Sequence, residues 1–330
     1  MKTLARCFAP GLLLAMTLGN AAAQGPADAG ARNYPNKTIR IVVPFPPGGA
    51  GDILARTIAE NLARRWGQQV VVENRPGGNT IIGAEIVAKA APDGYSLLAA
   101  IDSTLVMNQS LYRKLPYDTL RDFAPITLTA FGQPILIVSA ATGPKSVREL
   151  IQLAKANPGK LSFGAGVITT QLAAELFKSM AGVDILHVPY KGSAPTVQGL
   201  LSADVTMIVD GVSASLPHIK SGRFRVLANF GSRPIGALPN VPTMAAESGL
   251  PGLEVKIWHA LLAPAGTPPD VVARLEQEVA SILKTQEVRD RLATFGLETD
   301  GSTSAALAAY IRSETERWAK VIKQAGIPQE

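Results

Sequence analysis

Short apolar runs alternate with amphipathic segments along most of the chain. Two examples are "TIRIVVPF" before "PPGGAGDILARTIAENLARRW" and "QQVVVEN" before "RPGGNTIIGAEIVAKAA". Apolar runs of this length, bounded by Gly and Pro, predict strands, and apolar residues that recur every three to four positions predict helices. The alternation predicts an α/β fold with parallel or mostly parallel sheets that helices cover on both faces.

Two segments have a different layout. "TLTAFGQPILIVSAATGPKSVRELIQ" and "EVKIWHALLAPAGTPPDVVARLEQ" each place a long apolar strand before a Gly-Pro or Pro-Pro break and a helix. The length of 330 residues and the apolar content of 47% are sufficient for two domains. We predict that one segment carries the chain from the first lobe to the second and that the other brings it back.

The first residues have the pattern of a secretory signal peptide. Lys2 and Arg6 precede an apolar stretch, and Ala21 to Ala23 supply the small residues of a cleavage site, which we place after Ala23. The apolar stretch is too short to span a membrane. The sole cysteine, Cys7, lies within this segment, so we expect an exported protein without disulfides.

Charge and histidine content exclude several classes of partner. The formal charge of +6 falls to near +4 when Lys2 and Arg6 leave with the signal peptide, and the basic residues are scattered, so no nucleic-acid partner is expected. The three histidines, His187, His218 and His259, lack the spacing of metal ligands. We therefore expect neither a metal nor a cofactor.

Loops rich in Gly, Ser and Thr lead from predicted strands into helices. In open α/β sheets such loops form the ligand site, and the unpaired N–H groups of a helix start attract anions. "PFPPGGAGD" lacks both the GxxxxGK[ST] and the GxGxxG spacing, so a phosphate site is not indicated. The amides of Gly49 and Ala50 instead suit a carboxylate, whereas Asp52 either caps the helix or is turned aside or accepts a hydrogen bond.

Four other loops offer polar groups that serve either a ligand or the local fold. Ser103 and Thr104 follow a strand and either bind a ligand oxygen or satisfy the next helix. "SFGAGVITTQ" offers Gly and Thr as an amide cradle or as a helix cap. Tyr190 faces the cleft or its rim, and Asp210 either selects a ligand hydroxyl or amine or is structural.

The catalytic inventory of the sequence is small. "GVSAS" has Ser213 where a GxSxG nucleophile would stand, but Ser215 replaces the second Gly. Ser213 beside Asp210, with a distant His, leaves a hydrolase open as an alternative function. We expect that the protein is not an enzyme.

Long motifs make the chain similar to a known family. "IRIVVPFPPGGAGDILAR", "VVENRPGGNTIIGAEIVAKAAPDGYSLL", "HVPYKGSAPTVQGLLSADV" and "LLAPAGTPPDVVARL" resemble the Bug family, the periplasmic receptors of tripartite tricarboxylate transporters. The resemblance implies a type II periplasmic binding protein fold with two α/β lobes joined by two crossover strands. It places lobe 1 at 24–131 and 251–330 and lobe 2 at 132–250, and it makes the loop from Phe45 to Asp52 central to binding a carboxylate.

The chain departs from the family pattern at several cleft positions. Gln171 stands where the family has His, Val167 and Ile168 replace small or polar residues, and Asp102 precedes Ser103 where a small polar residue is usual. These departures bear on ligand identity. The predicted ligand-binding residues are Phe45, Gly49, Ala50, Asp52, Asp102, Ser103, Thr104, Ala165, Gly166, Thr169, Thr170, Tyr190 and Asp210.

The sequence thus predicts a monomeric solute-binding protein. It is expected to capture a small organic carboxylate in an interlobe cleft and to deliver it to the membrane subunits of a tripartite tricarboxylate transporter. The alternative is a ligand sensor that docks on a receptor kinase.

Overall fold

Two β-sheets form the framework of the structure. The computed structural model describes residues 33–250, 252–324 and 329, so the predicted signal peptide (1–23) lies outside the described residues. The strands are β1 (Ile39–Val43), β2 (Val70–Asn74), β3 (Ser96–Ile101), β4 (Phe123–Gly132), β5 (Ile135–Ser139), β6 (Ser162–Ala165), β7 (Leu186–Pro189), β8 (Met207–Asp210), β9 (Phe224–Asn229), β10 (Ile257–Pro264) and β11 (Leu297–Thr299). The first sheet has the order β11-β4-β10-β3-β1-β2, and the second has the order β7-β6-β8-β5-β9.

Helices connect the strands. They are α1 (Ala50–Trp66), α2 (Ile81–Ala88), a π-helical turn (Ser103–Met107) that continues as α3 (Asn108–Leu111), α4 (Thr119–Asp122), α5 (Val147–Ala156), α6 (Ile168–Ala181), α7 (Ser193–Leu201), α8 (Val212–Lys220), α9 (Met244–Ser248), α10 (Pro269–Leu283), α11 (Gln286–Ala293) and α12 (Ser304–Gln324). Within the described ranges, none of these helices is both long and apolar enough to cross a membrane.

The sheets are mixed, whereas the sequence pattern predicts parallel or mostly parallel ones. Every described pairing that involves β4, β5 or β10 is antiparallel, and the remaining pairings are parallel. The reason is the path of the chain. β4 leaves the first sheet and continues as β5, which runs opposite to β8 and β9 in the second sheet. β10 returns to the first sheet and runs opposite to β3 and β4, whereas β4 keeps the direction of β1 and β3.

We call the elements around the first sheet lobe 1 and those around the second sheet lobe 2. The apolar run 124–140 is therefore two strands in two lobes, which Gln133 and Pro134 connect. The return passes through the segment between β9 and β10. Domain boundaries after residues 131 and 250 remain a prediction.

Burial explains why β1 and α1 form where the pattern predicts them. Ile39, Ile41, Val42 and Val43 of β1 are all fully buried, as expected for a strand that is covered on both faces. Helix α1 presents Leu54, Ile58 and Leu62 at intervals of one turn to the same core. It ends at Gly67, which adopts the left-handed conformation that favours glycine at this position.

Candidate ligand cleft between the lobes

A cavity of about 60 Å³ lies between the two lobes. Its lining comes from the loops that follow β1, β6, β7 and β8, from the crossover strands around Gln133 and His259, and from the loop before β11. Most of its wall is apolar. The larger apolar side chains in its lining are Phe45, Ile101, Val167, Val212, Ile257, Phe295 and Leu297.

A larger groove of about 500 Å³ adjoins this cavity. It shares Phe45, Pro46, Val167 and Gly192 with the cavity. Lobe 1 lines the groove with polar residues such as Ser103 and Thr80, and lobe 2 lines it with Gly166, Tyr190 and Lys191.

Four helices begin at the cavity without a side-chain cap. The N-cap residues of α1, α6, α7 and α8 are Gly49, Val167, Gly192 and Gly211, and none of them caps its helix through a side chain. All four N-cap residues line the cavity. The first N–H groups of a helix have no partner within the helix, and the helix dipole adds a partial positive charge there. The cavity is therefore surrounded by backbone donors suited to an anion.

No basic side chain competes with these donors. Among the described residues that line the cavity there is no Lys or Arg. His259 lines the cavity, but burial lowers the pKa of its imidazole to about 4, so the ring is neutral at neutral pH. Any attraction for an anion in this cavity must come from backbone N–H groups and neutral polar side chains.

Asp210 brings a carboxyl group to the cavity wall. It is the last residue of β8, and its side chain is only 1% exposed. One oxygen, Oδ1, accepts a hydrogen bond from Ser193 Oγ at 2.7 Å, whereas Oδ2 has no partner. Burial raises the pKa of Asp210 to about 6, against the opposing effects of the Ser193 hydrogen bond and of the neighbouring Gly211 amide.

Asp102 joins the two lobes directly. Its Oδ1 accepts a hydrogen bond from Thr169 Oγ1 of lobe 2 at 2.6 Å and another from the Ser103 amide at 2.7 Å. Its Oδ2 is buried without a partner. Burial raises the pKa of Asp102 to about 7, and the negative charge of Glu314 adds to the effect, while the bonds from Thr169 and Ser103 oppose it. Neither Asp102 nor Thr169 lines the cavity or the groove.

We predict that Asp102 makes folding stability depend on pH. Its raised pKa means that the folded protein holds a proton which the unfolded chain has already released near the ordinary pKa of 3.8. The contribution of Asp102 to stability is therefore fully present below its unfolded pKa and is lost as the pH rises through about 7. Between pH 6 and 8 we expect a loss of about 1 kcal/mol, or about 2 °C in Tm.

Thermal unfolding of Asp102→Asn across this pH range tests the assignment. The variant retains a hydrogen-bond acceptor for Thr169 but cannot titrate, so its Tm should decline less than that of the wild type. Asp290→Asn, on the exposed face of α11, should decline as the wild type does. An equal decline in all three proteins would exclude Asp102 as the source.

Asp52 lies behind the first loop. It is 4% exposed and accepts hydrogen bonds from Arg56, from Asn74 Nδ2 at 2.9 Å and from the Gly48 amide at 3.1 Å. Burial favours a higher pKa, but these donors outweigh it and hold the pKa of Asp52 below its usual value. The bond to the Gly48 amide fixes the turn that presents Gly49 to the cavity.

The other predicted residues fall into three groups. Phe45, Gly49 and Ala50 line the cavity together with Asp210, while Ser103, Gly166 and Tyr190 line the groove. The remaining residues lie behind the cleft wall. They are Thr104, which donates to Thr80 Oγ1 at 2.8 Å, Thr170, which donates to the Val167 carbonyl at 2.9 Å, and Ala165, whose carbonyl accepts from the Tyr190 amide at 3.0 Å.

Several cavity residues are absent from the sequence-based prediction. Ser193 follows Gly192 at the start of α7, and its position after a predicted strand was a usable signal. Gln133 lies on the first crossover, between β4 and β5, and the apolar run around it gives no sign of a polar cavity residue. Phe295 and Gly296 come from a distant loop, and no local pattern indicates that they reach the cavity.

Ser213, Asp210 and His259 all line the cavity but are not joined as a catalytic triad. Ser213 Oγ donates to the Phe295 carbonyl at 3.1 Å, and Asp210 accepts from Ser193 instead. Within the described part of the chain, no hydrogen bond connects His259 to Ser213 or Asp210. Likewise, no group of three or more His, Cys, Asp or Glu residues in the described part is placed to hold a metal.

Comparison with known proteins identifies the family. The sequence model of the "Tripartite tricarboxylate transporter family receptor" matches residues 54–327. The chain belongs to this family. Among the receptor's relatives, Protein BugT of Bordetella pertussis is 36% identical over 303 residues, which cover 91% of this chain and 93% of BugT.

Solved structures support the same assignment. "R. palustris Rpa4515 with adipate" is 36% identical with a TM-score of 0.87, over 90% of this receptor and 100% of that chain. MatC of Rhodopseudomonas palustris, solved with bound malate, is 30% identical with a TM-score of 0.81, over 88% and 100% of the two chains. The predicted two-lobed periplasmic binding protein fold and the predicted Bug family membership are thus confirmed.

Proposed function

We propose that this receptor captures a small organic carboxylate in the interlobe cavity and delivers it, as a monomer in the periplasm, to the membrane subunits of a tripartite tricarboxylate transporter. One observation carries the proposal. Four helices begin at one cavity, none of them has a side-chain cap on its N-cap residue, and the described residues that line the cavity include no Lys or Arg.

The donor set favours a carboxylate over a phosphate or a sulfate. Neutral N–H groups neutralise one negative charge at low cost, because they need no counter-ion of their own. Asp210 stands in the same wall, and a second negative charge on the ligand's head group would be repelled by it. A singly charged carboxylate with a compact head group matches both features.

Known relatives support the ligand class. Rpa4515 was solved with adipate and MatC with malate, and both ligands are small organic acids. The family description supports a transporter as the partner. Cleft closure excludes water, so a few hydrogen bonds suffice to hold the ligand.

We propose distinct roles for the predicted residues. The amides at Gly49 and Ala50 bind the carboxylate, and Phe45 packs on the ligand body. Ser103, Gly166 and Tyr190 line the route of entry. Asp102 and Thr169 hold the lobes together, and Asp52, Thr104, Ala165 and Thr170 fix the loops.

A thermal-shift panel tests the carboxylate claim. The purified protein without its first 23 residues is unfolded, refolded to remove bound ligand and melted with adipate, malate, citrate, glutamate and benzoate. An acid at a hundred times its Kd should stabilise the fold by about 2.7 kcal/mol and raise Tm by several degrees. An unchanged Tm with every acid would contradict the proposal.

A transport assay tests the partner. Radiolabelled acid from the panel is offered to proteoliposomes that contain the membrane subunits, with and without the receptor. Uptake that needs the receptor supports delivery to a transporter. Binding without receptor-dependent uptake would instead favour the sensory role.

A further inference from the structure

Asp210 has an unused acceptor at the wall of the ligand cavity. Its side chain is almost fully buried, and Oδ2 has no hydrogen-bond partner. A buried carboxyl oxygen without a donor is costly, so native structures usually supply a partner or bind one. Because Asp210 itself lines the cavity, a bound ligand is positioned to supply that partner.

The described residues of the cavity lining supply no cation to neutralise this carboxylate. No Lys or Arg is among the described residues that line the cavity, and the buried His259 is neutral at neutral pH. Ser193 satisfies only Oδ1, and the nearby Gly211 amide, although it favours the charged form, makes no hydrogen bond to Oδ2. The second oxygen is therefore left for a donor that arrives with the ligand.

Asp210 lies close to the proposed carboxylate site. Ser193 Oγ is 2.7 Å from Asp210 Oδ1 and 3.9 Å from the position that a Cβ would occupy at Gly49. One hydroxyl group thus separates Asp210 from the start of α1. A ligand that reaches both sites needs its donor within a few bonds of its carboxylate.

The geometry points to a ligand with a hydroxyl or ammonium group a few bonds from its carboxylate, which donates a hydrogen bond to Asp210 Oδ2. This inference rests on the proposed function, because it assumes that the carboxylate lies at the helix starts. The cavity wall beyond these groups is apolar and includes Ile101, Val212 and Leu297. The ligand class is therefore a hydroxy or amino acid whose remaining body is uncharged where it meets this wall.

Matched acids that differ only in the donor test the inference. Calorimetric titration compares hexanoate, 2-hydroxyhexanoate and norleucine, and also succinate, malate and aspartate, on the wild type and Asp210→Asn. We expect the wild type to bind at least one donor-bearing acid tenfold or more tighter than its parent acid. In Asp210→Asn this preference should fall to about threefold or less, and an ammonium acid should lose more than a hydroxy acid.

Two further variants keep the test decisive. Ser193→Ala removes the group that orients Asp210, so it should reduce the same preference even if Asp210→Asn folds poorly. Asp290→Asn, which is exposed on α11, should retain the full preference.

The possible results separate the two proposals. A parent acid that binds the wild type as tightly as its donor-bearing partners would overturn the inference and leave the carboxylate receptor intact. A preference that survives in both Asp210→Asn and Ser193→Ala would also overturn it. If no acid in either series binds, the proposed function itself fails.

Discussion

Replacing Gly49 by Asp is expected to weaken carboxylate binding by about a hundredfold, or about 2.7 kcal/mol, while helix α1 stays folded. An Asp at an N-cap accepts hydrogen bonds from the first N–H groups of its helix. It would therefore occupy the donors that we assign to the ligand. Its charge would also repel the ligand carboxylate in a cavity from which water is largely excluded.

The local geometry at Gly49 permits this substitution. Gly49 has φ −84° and ψ 172°, which is the extended conformation of N-cap residues. A Cβ there would have Ser193 Oγ at 3.9 Å as its nearest neighbour, an ordinary contact. Loss of binding would therefore not reflect a clash.

Gly49→Asn separates the effect of the cap from the effect of the charge. Asn caps the helix without a negative charge, so we expect it to weaken binding by about tenfold. The measurement is the Kd of the tightest acid from the thermal-shift panel, with Tm as the test of folding. If Gly49→Asp binds that acid as tightly as the wild type, the carboxylate does not lie at α1.

Gly166→Ala is expected to destabilise the protein by about 2–3 kcal/mol and to abolish tight ligand binding. A Cβ at Gly166 would lie 2.5 Å from both the carbonyl carbon and the carbonyl oxygen of Gly192, and 2.6 Å from Thr196 Oγ1. Two of these atoms are backbone, so no flexible side chain can move aside. The Gly192 amide also donates to the Gly166 carbonyl at 2.9 Å, so the two loops would have to separate.

The loss of ligand binding is expected because both loops contribute residues to the cavity lining. Val167 follows Gly166 and Ser193 follows Gly192, and both line the cavity. Separation of the loops would shift the starts of α6 and α7. The expected fall in Tm is about 5 °C.

Gly236→Ala is the matched control. A Cβ at Gly236 would meet no atom within 4 Å, and its backbone does not require glycine. This variant should melt within about 1 °C of the wild type and bind normally. Equal melting of Gly166→Ala and Gly236→Ala would show that the two loops are not held in contact in solution.

Local sequence patterns were sufficient to predict the strand-loop-helix units. The run 38–45 is apolar apart from Thr38 and Arg40, and the next segment repeats Leu54, Ile58 and Leu62 on one face, so β1 and α1 were predictable. The glycines between them indicated an amide site. Each of these inferences depends only on neighbours within about one helical turn or one strand.

Such patterns could not predict which of the two sheets each strand joins. The apolar run 124–140 looks continuous, although Gln133 and Pro134 divide it between two sheets. The direction of a strand depends on the edge of the sheet at which the chain enters it. The apolar composition of the strand does not predict that edge. The antiparallel pairings of β4, β5 and β10 were therefore missed.

The sequence by itself determined the α/β class, the glycine-rich loops that lead into helices and the kinds of polar residue near them. Only the tertiary structure decided which of these residues meet. Asp102 and Thr169, 67 positions apart, form an interlobe hydrogen bond, whereas Asp210 and Ser193, 17 apart, form a pair at the cavity wall. The first contact arises where the two lobes meet, and the second arises because the parallel strands β7 and β8 end at the same edge of the second sheet. No short-range pattern specifies either arrangement.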